Sequence, residues 1–177
     1  MLEPMTSADE SVVTAQLQRP PRGMIGVAYR CPCGKPAVVV TRPRLPDGTP
    51  FPTTYYLTCR YLVAAIARLE AGGGVERWSR LAADDVALAR SLAHATEEQR
   101  LVRHELAGAR REDDVGGSLE LGIAGSRSAR HLKCLHAHAA FALARPGYEL
   151  GERILAEIEP LWPPDRCCSD ALREGHE

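Results

Sequence analysis

Sulfur and imidazole nitrogen, the soft ligands of proteins, are concentrated in three stretches of this sequence. The stretches are "RCPCGK" with Cys31 and Cys33, "TTYYLTC" with Cys59, and "KCLHAHAA" with Cys134, His136 and His138. Zn²⁺ prefers these ligand types and takes four of them at tetrahedral corners. We therefore predict a metal site in which Cys31, Cys33, Cys59 and Cys134 are the sulfur ligands, with a histidine close by.

The spacing of the first cysteine pair limits how it can bind. Only Pro32 separates Cys31 from Cys33, whereas zinc knuckles have two to four residues between their first two cysteines. Pro32 fixes φ, and Gly34 permits a left-handed backbone directly after the pair. Both sulfurs can face one ion only if the chain turns sharply here.

Helix geometry distinguishes between the two histidines that follow Cys134. In a regular helix Cys134 and His138 are four residues apart and share a face. His136 is about 200° round the helix from Cys134. His136 therefore fits the site only if the helix begins at about Cys134.

The same residues allow three other interpretations. Four thiolates also suit an iron–sulfur cluster. Cys134 at the start of a helix suits a nucleophilic or redox-active thiol. Buried cysteines also act simply as small apolar side chains. Cys167 and Cys168 lie close to the C-terminus, and we assign them no role.

Basic residues are separated from acidic ones in the N-terminal third. No acid occurs from Ser11 to Pro46, a span that contains Arg19, Arg22, Arg30, Lys35, Arg42 and Arg44. Such asymmetry predicts an anionic ligand or an acidic protein surface as partner, unless these residues pair with acids of the helical part. In an extended segment Arg42 and Arg44 point the same way and would suit an anion-binding pair, but a merely stiff proline-rich loop is the commoner structure for this composition, and both interpretations stay open.

The elements that position these residues change type along the chain. Three β-like runs, Met24–Cys31, Ala37–Thr41 and Thr53–Cys59, precede helical patterns from Arg60 onward. We predict an α+β fold with a small N-terminal antiparallel sheet of about three strands, packed on four or five C-terminal helices. Residues 1–17 and 161–177 are predicted to be flexible tails around one domain, 18–160.

Composition excludes several classes of protein. The chain has 177 residues, 45% of them hydrophobic, and a net charge of −1, which is typical of one globular domain and not of a general polyanion binder. It has no apolar run of membrane-spanning length, and "MLEPMTSADE" does not resemble a secretory signal. We expect a cytoplasmic protein with reduced cysteines and without a membrane partner; nucleic acid is a disfavoured partner that stays open.

Two long motifs resemble a known bacterial family. "CPCGKPAVVVTRPRLPDGTPFPTTYYLTC" and "KCLHAHAAFALA" are similar to the family called domain of unknown function 501, across about Gln18 to Glu157. The resemblance implies a shared pattern at these positions: Cys31, Cys33, Gly34, Arg44, Pro46, Asp47, Gly48, Pro50, Pro52, Thr53, Cys59, Lys133, Cys134 and His136. It therefore favours His136 over His138, with a helix that begins near Cys134. The loops "GIAGSRSARH" and "RPGYELGE" depart from the family pattern.

Two functions from different classes remain open. In the first, a structural metal, with zinc as first choice, joins the sheet to the helices, and the basic N-terminal face binds an anionic partner. In the second, the protein is an enzyme that uses an iron–sulfur cluster or Cys134, while Arg42 and Arg44 hold a phosphate or carboxylate. The number of ligands separates them, because a closed four-ligand site is structural and a three-ligand site with an open position is catalytic.

Overall fold

An antiparallel sheet occupies the N-terminal part of the chain. The computed structural model describes residues 3–108, 114, 117–128, 131–165 and 167–168. The strands are β1 (Glu3–Pro4), β2 (Met24–Arg30), β3 (Pro36–Thr41) and β4 (Tyr55–Leu57), in the spatial order β1-β2-β3-β4. The predicted α+β class is confirmed, and the short strand β1 adds to the three strands expected.

Helices make up most of the described chain after the sheet. They are α1 (Ser7–Leu17), α2 (Arg60–Ala71), α3 (Gly74–Asp84), α4 (Val86–Ala107), α5 (Leu135–Ala144) and α6 (Glu149–Ala156), with a 3₁₀ turn at Ile123–Gly125. The long helix α4 begins where Asp85 accepts hydrogen bonds from two first-turn N–H groups, which is why the chain leaves α3 at this point. Within the described residues, no helix combines the length and the apolar character needed to cross a membrane.

The central strand β3 is buried along its whole length. Val38 and Val40 belong to the main core with α5, whereas Val39 points to the opposite face and is also buried. Helix α1 contacts β3 and covers that second face. Val13 is a buried residue of this helix. A strand covered on both faces needs a continuous apolar run, and "AVVV" provides it.

The N-terminal segment differs from the flexible tail that the sequence predicted over 1–17. Its described part contains β1 and α1, and Thr6 and Asp9 form a reciprocal capping box at the start of that helix. Arg30 donates to both Asp9 and Glu3, and the hydrogen bond from Arg30 holds the pKa of Asp9 well below its usual range. A tertiary contact with β2 therefore fixes this helix, whose own apolar pattern is weak.

Helix α5 is the centre of the helical layer. Its sequence "LHAHAAFALA" is apolar on every side, and Leu135, Ala139 and Phe141 are almost completely buried. It packs against β4, α6 and α2. A helix that is apolar all round must be enclosed by other elements, which explains its position between the sheet and the outer helices.

A buried arginine joins α4 to the loop that follows β3. Arg103 is fully buried and donates to the carbonyls of Phe51, Pro52 and Ser118 and to the hydroxyl of Thr54. Burial lowers the pKa of Arg103 to about 10, although the negative charge of Asp114 acts in the opposite direction and raises it. The proline-rich loop 42–54 is thus held by the side chain of a distant helix.

Replacement of Arg103 should destabilise the fold strongly. Arg103→Met keeps much of the side-chain volume but leaves four buried or half-buried acceptors without their donor, so we expect the free energy of unfolding to fall by about 3 kcal/mol or more. Arg90→Ala, at an exposed position of the same helix, should change it by less than about 0.5 kcal/mol. Urea denaturation of both variants measures these changes. Equal unfolding midpoints for Arg103→Met and Arg90→Ala would contradict a stabilising role of Arg103.

Candidate metal centres

Cysteines from three separate parts of the chain lie close together in what is here called the cysteine cluster, defined as Cys31, Cys33, Cys59 and Cys168. Three of its sulfurs form one compact group, which Cys59 joins through a contact with Cys168. The sulfur atoms of Cys31, Cys33 and Cys168 all lie within 4.8 Å of one another. The Sγ atoms of Cys59 and Cys168 are 3.7 Å apart, which is far longer than a disulfide bond. The geometry allows the cluster to hold a metal ion.

A sharp turn between β2 and β3 brings the first two cysteines to the cluster. The N–H of Gly34 donates to the carbonyl of Cys31 at 2.8 Å, and the N–H of Cys31 donates to the carbonyl of Lys35 at 2.9 Å. Gly34 has a φ of 73°, a left-handed conformation that L-amino acids with side chains rarely adopt. This is the turn that the spacing of Cys31 and Cys33 required, and Arg30 supports it with a hydrogen bond to the Gly34 carbonyl.

The third cysteine arrives at the junction of β4 and α2. Because β4 runs antiparallel to β3, with Leu57 opposite Val38, the end of β4 lies beside the start of β3. The N–H groups of Thr58 and Cys59 both donate to the carbonyl of Ala37, which fixes this junction. Cys59 is the N-cap residue of α2 and is 1% exposed, so its sulfur lies at the positive end of a helix.

Sequence reasoning missed the fourth cysteine, Cys168, to which we assigned no role. The segment after α6 folds back over the sheet, where the ring of Trp162 stacks on that of Tyr29 with centroids 5.9 Å apart. Cys168 is buried against the cluster. The only sequence signal for Cys168 was the adjacent pair "CC" in a polar stretch. Most of the predicted tail 161–177 lies outside the described residues.

Neighbouring sulfurs raise the pKa values of two thiols of the cluster, those of Cys33 and Cys168. A hydrogen bond with Cys167, together with desolvation and the proximity of Cys31, raises the pKa of the Cys33 thiol to about 11. Burial raises the pKa of Cys168, and Cys59 and Cys31 raise it further. Several thiolates can coexist at such distances only beside a cation, and a bound metal ion would reverse this balance.

A second group, here called the Cys134 group, consists of Glu70, Cys134 and His136. One ligand atom from each of the three lies within 4.8 Å of the other two. The Sγ of Cys134 is 3.6 Å from the Nδ1 of His136, and an oxygen of Glu70 is 3.2 Å from the same nitrogen. Helix α5 begins directly after Cys134, as we predicted, and this lets His136 turn toward the sulfur.

Hydrogen bonds hold the members of the Cys134 group in position. The Nε2 of His136 lies 3.1 Å from the carbonyl of Val63, and the N–H of Leu135 donates to Glu70. Although burial alone lowers the pKa of His136, the nearby Cys134 and Glu70 and the Val63 carbonyl raise it to about 9. The group therefore attracts positive charge, whether a proton or a metal ion.

His138, the alternative histidine, is a core residue. It is buried, and its Nδ1 lies 2.7 Å from the hydroxyl of Tyr148. Burial lowers the pKa of His138 to about 3, so this side chain is neutral at ordinary pH. The argument from a regular helix does not apply, because Cys134 has an extended backbone as N-cap residue and does not share the helical face of His138.

The five metal ligands predicted from the sequence are thus distributed over two groups. Cys31 and Cys33 lie together with Cys168, and Cys59 adjoins this group through its contact with Cys168. Cys134 and His136 lie together with Glu70, a residue that the sequence did not mark because a lone glutamate on a helix is ordinary. Whether either group binds a metal in solution stays a prediction.

Arg30 and Arg44 of the acid-free span form ion pairs, which the alternative interpretation of that span expected, although with acids outside the C-terminal helices. Arg30 pairs with Glu3 and Asp9. Arg44 pairs at 2.7 Å with Asp114, whose side chain is 2% exposed. Arg42 is exposed. The proposed anion-binding pair of Arg42 and Arg44 stays a prediction, in which Arg44 already has a carboxylate partner.

Comparison with known proteins identifies one family. A model of the family described as Protein of unknown function (DUF501) matches residues 27–156, which include Cys31, Cys33, Cys59 and the whole Cys134 group. Cys168 lies outside the matched range. Neither the curated proteins nor the solved structures contain a match to this chain.

Arg44 should contribute to stability through Asp114. Arg44→Gln is expected to lower the free energy of unfolding by about 1 kcal/mol at neutral pH, because the pair is partly exposed. Burial raises the pKa of Asp114, but hydrogen bonds from Leu119, Ser118 and Arg44 lower it more, so that the net shift is downward. The ion pair therefore stabilises the folded state above the pKa that Asp114 has in the unfolded chain. This stabilisation is lost as the pH falls through the lower pKa of the folded state. The difference between variant and wild type should therefore shrink in acid.

Urea denaturation at neutral and acidic pH measures this difference. Arg42→Gln, at an exposed position of the same loop, is the matched control and should leave stability unchanged. An Arg44→Gln variant as stable as the wild type at neutral pH would contradict a stabilising role of the pair with Asp114.

Proposed function

We propose, for a chain that belongs to the DUF501 family of proteins of unknown function, that the cysteine cluster binds one structural Zn²⁺ ion. The observation that carries the proposal is the close approach of three sulfur atoms, those of Cys31, Cys33 and Cys168, beside which Cys59 contacts Cys168 and would supply the fourth ligand after a small movement. Four sulfur ligands complete the coordination shell of zinc, so that the site is closed and structural.

The distance between Cys59 and Cys168 is compatible with two sulfur ligands of one ion. A Zn–S bond of about 2.3 Å in tetrahedral geometry separates neighbouring sulfurs by about 3.8 Å. The 3.7 Å between Cys59 and Cys168 agrees with this value. An iron–sulfur cluster places several iron and sulfide atoms between its cysteines and needs a wider spacing of the thiolates, so we favour zinc over this alternative.

A zinc ion here would link three parts of the chain that are far apart in sequence. Cys31 and Cys33 belong to the sheet, Cys59 to the helical layer, and Cys168 to a segment that returns from the far end of the chain. Because the site does not exist in the unfolded chain, metal binding contributes directly to folding. We place such a protein in the cytoplasm, where thiols stay reduced and free for metal.

Removal of one cluster ligand should release zinc and destabilise the protein. For Cys168→Ser purified without a metal-binding tag, we expect the zinc content to fall by about one ion per chain, with a loss of several kcal/mol in the free energy of unfolding. His94→Asn is the matched control, because it removes an exposed soft ligand on α4, outside both candidate metal groups, and should retain all of the bound zinc. Elemental analysis and urea denaturation provide the two measurements.

Three results would contradict the zinc proposal. A Cys168→Ser variant with unchanged zinc content would exclude Cys168 as a ligand. Absence of metal from wild-type protein refolded with added zinc would leave the cluster as buried reduced thiols. Iron with inorganic sulfide and a broad visible absorption would favour the iron–sulfur interpretation.

The second part of the proposal concerns a basic face, defined by Arg19, Arg22 and Arg42. All three side chains are exposed. The N–H of Arg42 donates to the carbonyl of Gly23 at 2.7 Å, which brings Arg42 beside the segment that carries Arg22. Arg22 is close enough to Asp47 to contribute to the lowered pKa of that carboxyl, so Asp47 offsets part of the positive charge of the basic face. We propose that the face binds an anionic group, such as a phosphate or an acidic protein surface.

Binding of the basic face to a phosphate-bearing matrix tests this part. The double variant Arg22→Ala/Arg42→Ala should elute from phosphocellulose at a clearly lower salt concentration than the wild type, because surface charge interactions are screened by salt. The control Arg80→Ala/Arg90→Ala removes the same charge from exposed positions on α3 and α4. Equal shifts for the two double variants would show that only net charge matters.

A further inference from the structure

We propose that the Cys134 group is a second metal site, distinct from the cysteine cluster and open to a ligand. The Sγ of Cys134, the Nδ1 of His136 and a carboxylate oxygen of Glu70 would hold one Zn²⁺ ion. The fourth coordination position would face the adjoining cleft and accept a carboxylate-bearing small molecule with an apolar body.

The arrangement of the three donor atoms carries the proposal. Zn²⁺ at ordinary bond lengths separates a sulfur and a nitrogen ligand by about 3.6 Å, and a nitrogen and an oxygen ligand by about 3.4 Å. The corresponding distances are 3.6 Å between Cys134 and His136 and 3.2 Å between His136 and Glu70. The three atoms therefore surround a point at which one ion reaches all of them with little movement.

The contacts behind the donor atoms are those of a metal site. A histidine that binds a metal usually donates its other ring N–H to a carboxylate or a backbone carbonyl, which fixes the ring and its tautomer. The Nε2 of His136 has such a partner in the carbonyl of Val63, at 3.1 Å. Glu70 is likewise oriented, because it accepts the N–H of Leu135 at the first position of α5.

The position of Glu70 argues for a metal rather than a cysteine nucleophile. In a nucleophile–histidine–carboxylate triad, the nucleophile and the carboxylate lie on opposite nitrogens of the ring. Here the sulfur and the carboxylate both face Nδ1. Two anionic groups and one ring nitrogen around a common point are the ligands of a cation, and a thiolate and a carboxylate neutralise the charge of Zn²⁺.

The cleft next to the group provides room for a ligand. Its volume is about 620 Å³, within the range of small-molecule sites. Cys134 and His136 form part of its wall, beside the aromatic and aliphatic side chains of Tyr56, Leu57 and Val63. Arg60 contributes a positive charge to this wall. A carboxylate would be bound between the ion and Arg60, with its apolar part against the aliphatic wall.

Reconstitution of the full chain with Co²⁺, a coloured substitute for zinc, tests the proposal. We expect two metal ions per wild-type chain, one in His136→Ala, and two in the matched control His94→Asn, whose histidine is exposed on α4. Glu70→Gln keeps the acceptor for Leu135 and removes only the charge, so it should fold normally and bind the second ion at least about tenfold more weakly. Circular dichroism verifies the fold of each variant.

The open position is tested with phenylacetate as the probe. Phenylacetate should change the visible Co²⁺ spectrum of the wild type, and acetate, which lacks the apolar body, should do so only at higher concentration. In His136→Ala, which retains the ion of the cysteine cluster, phenylacetate should have no effect. Failure of the zinc proposal for the cysteine cluster would be recognised separately, because it depends on Cys168→Ser.

Three outcomes would overturn the proposal. One ion per chain in both wild type and His136→Ala would exclude a second metal site. If iodoacetamide then modified Cys134 faster in the wild type than in His136→Ala, as peptide mass spectrometry would show, the pair would be a reactive thiol and its base. Two ions without a spectral response to phenylacetate would show that the second site is closed.

Discussion

Burial of α5 is the constraint on which the rest of the structure depends. Ten residues that are apolar on every side can be stable only if other elements enclose them, and β4, α2 and α6 do so. The start of such a helix also lies within the protein, where its first N–H groups need acceptors. Glu70 of α2 supplies one of them to Leu135. The same carboxylate is thereby brought to Cys134 and His136, so that the Cys134 group is a consequence of how α5 begins.

Helix α2 explains why the soft ligands form two groups and not one. Cys59 precedes its first residue and Glu70 lies in its last turn. Eleven residues of helix separate their Cα atoms by about 16 Å, which is too far for one ion. The sheet end and the C-terminal segment meet α2 at its start, and α5 packs beside its later turns. The four-sulfur group is suited to a closed structural site, whereas the mixed sulfur, nitrogen and oxygen group borders a cleft.

Local patterns predicted much of this arrangement, and long-range contacts account for what they missed. Strand and turn patterns placed Cys31, Cys33 and Cys59 at one end of an antiparallel sheet, which the register of β3 and β4 reproduces. Cys168 could not be found this way, because its position depends on a contact between Trp162 and Tyr29 more than a hundred residues apart in sequence. It also lies beyond the range that matches the family. The helix α1 was missed for the same reason, since Asp9 is fixed by Arg30 and not by a periodic apolar face.

The arginines of the acid-free span show most clearly that the composition of a segment does not reveal which of its charges are neutralised in the folded structure. The sequence identifies a span without acids but does not show which arginines are neutralised by acids elsewhere. Arg30 and Arg44 pair with carboxylates from distant parts of the chain, and Arg103, from outside the span, binds the loop through uncharged oxygens. An arginine that already has buried or half-buried partners is costly to redirect, because its partner would lose its own hydrogen bonds. An external anion would therefore be bound by the exposed Arg19, Arg22 and Arg42, which makes the basic face smaller than the span of sequence that suggested it.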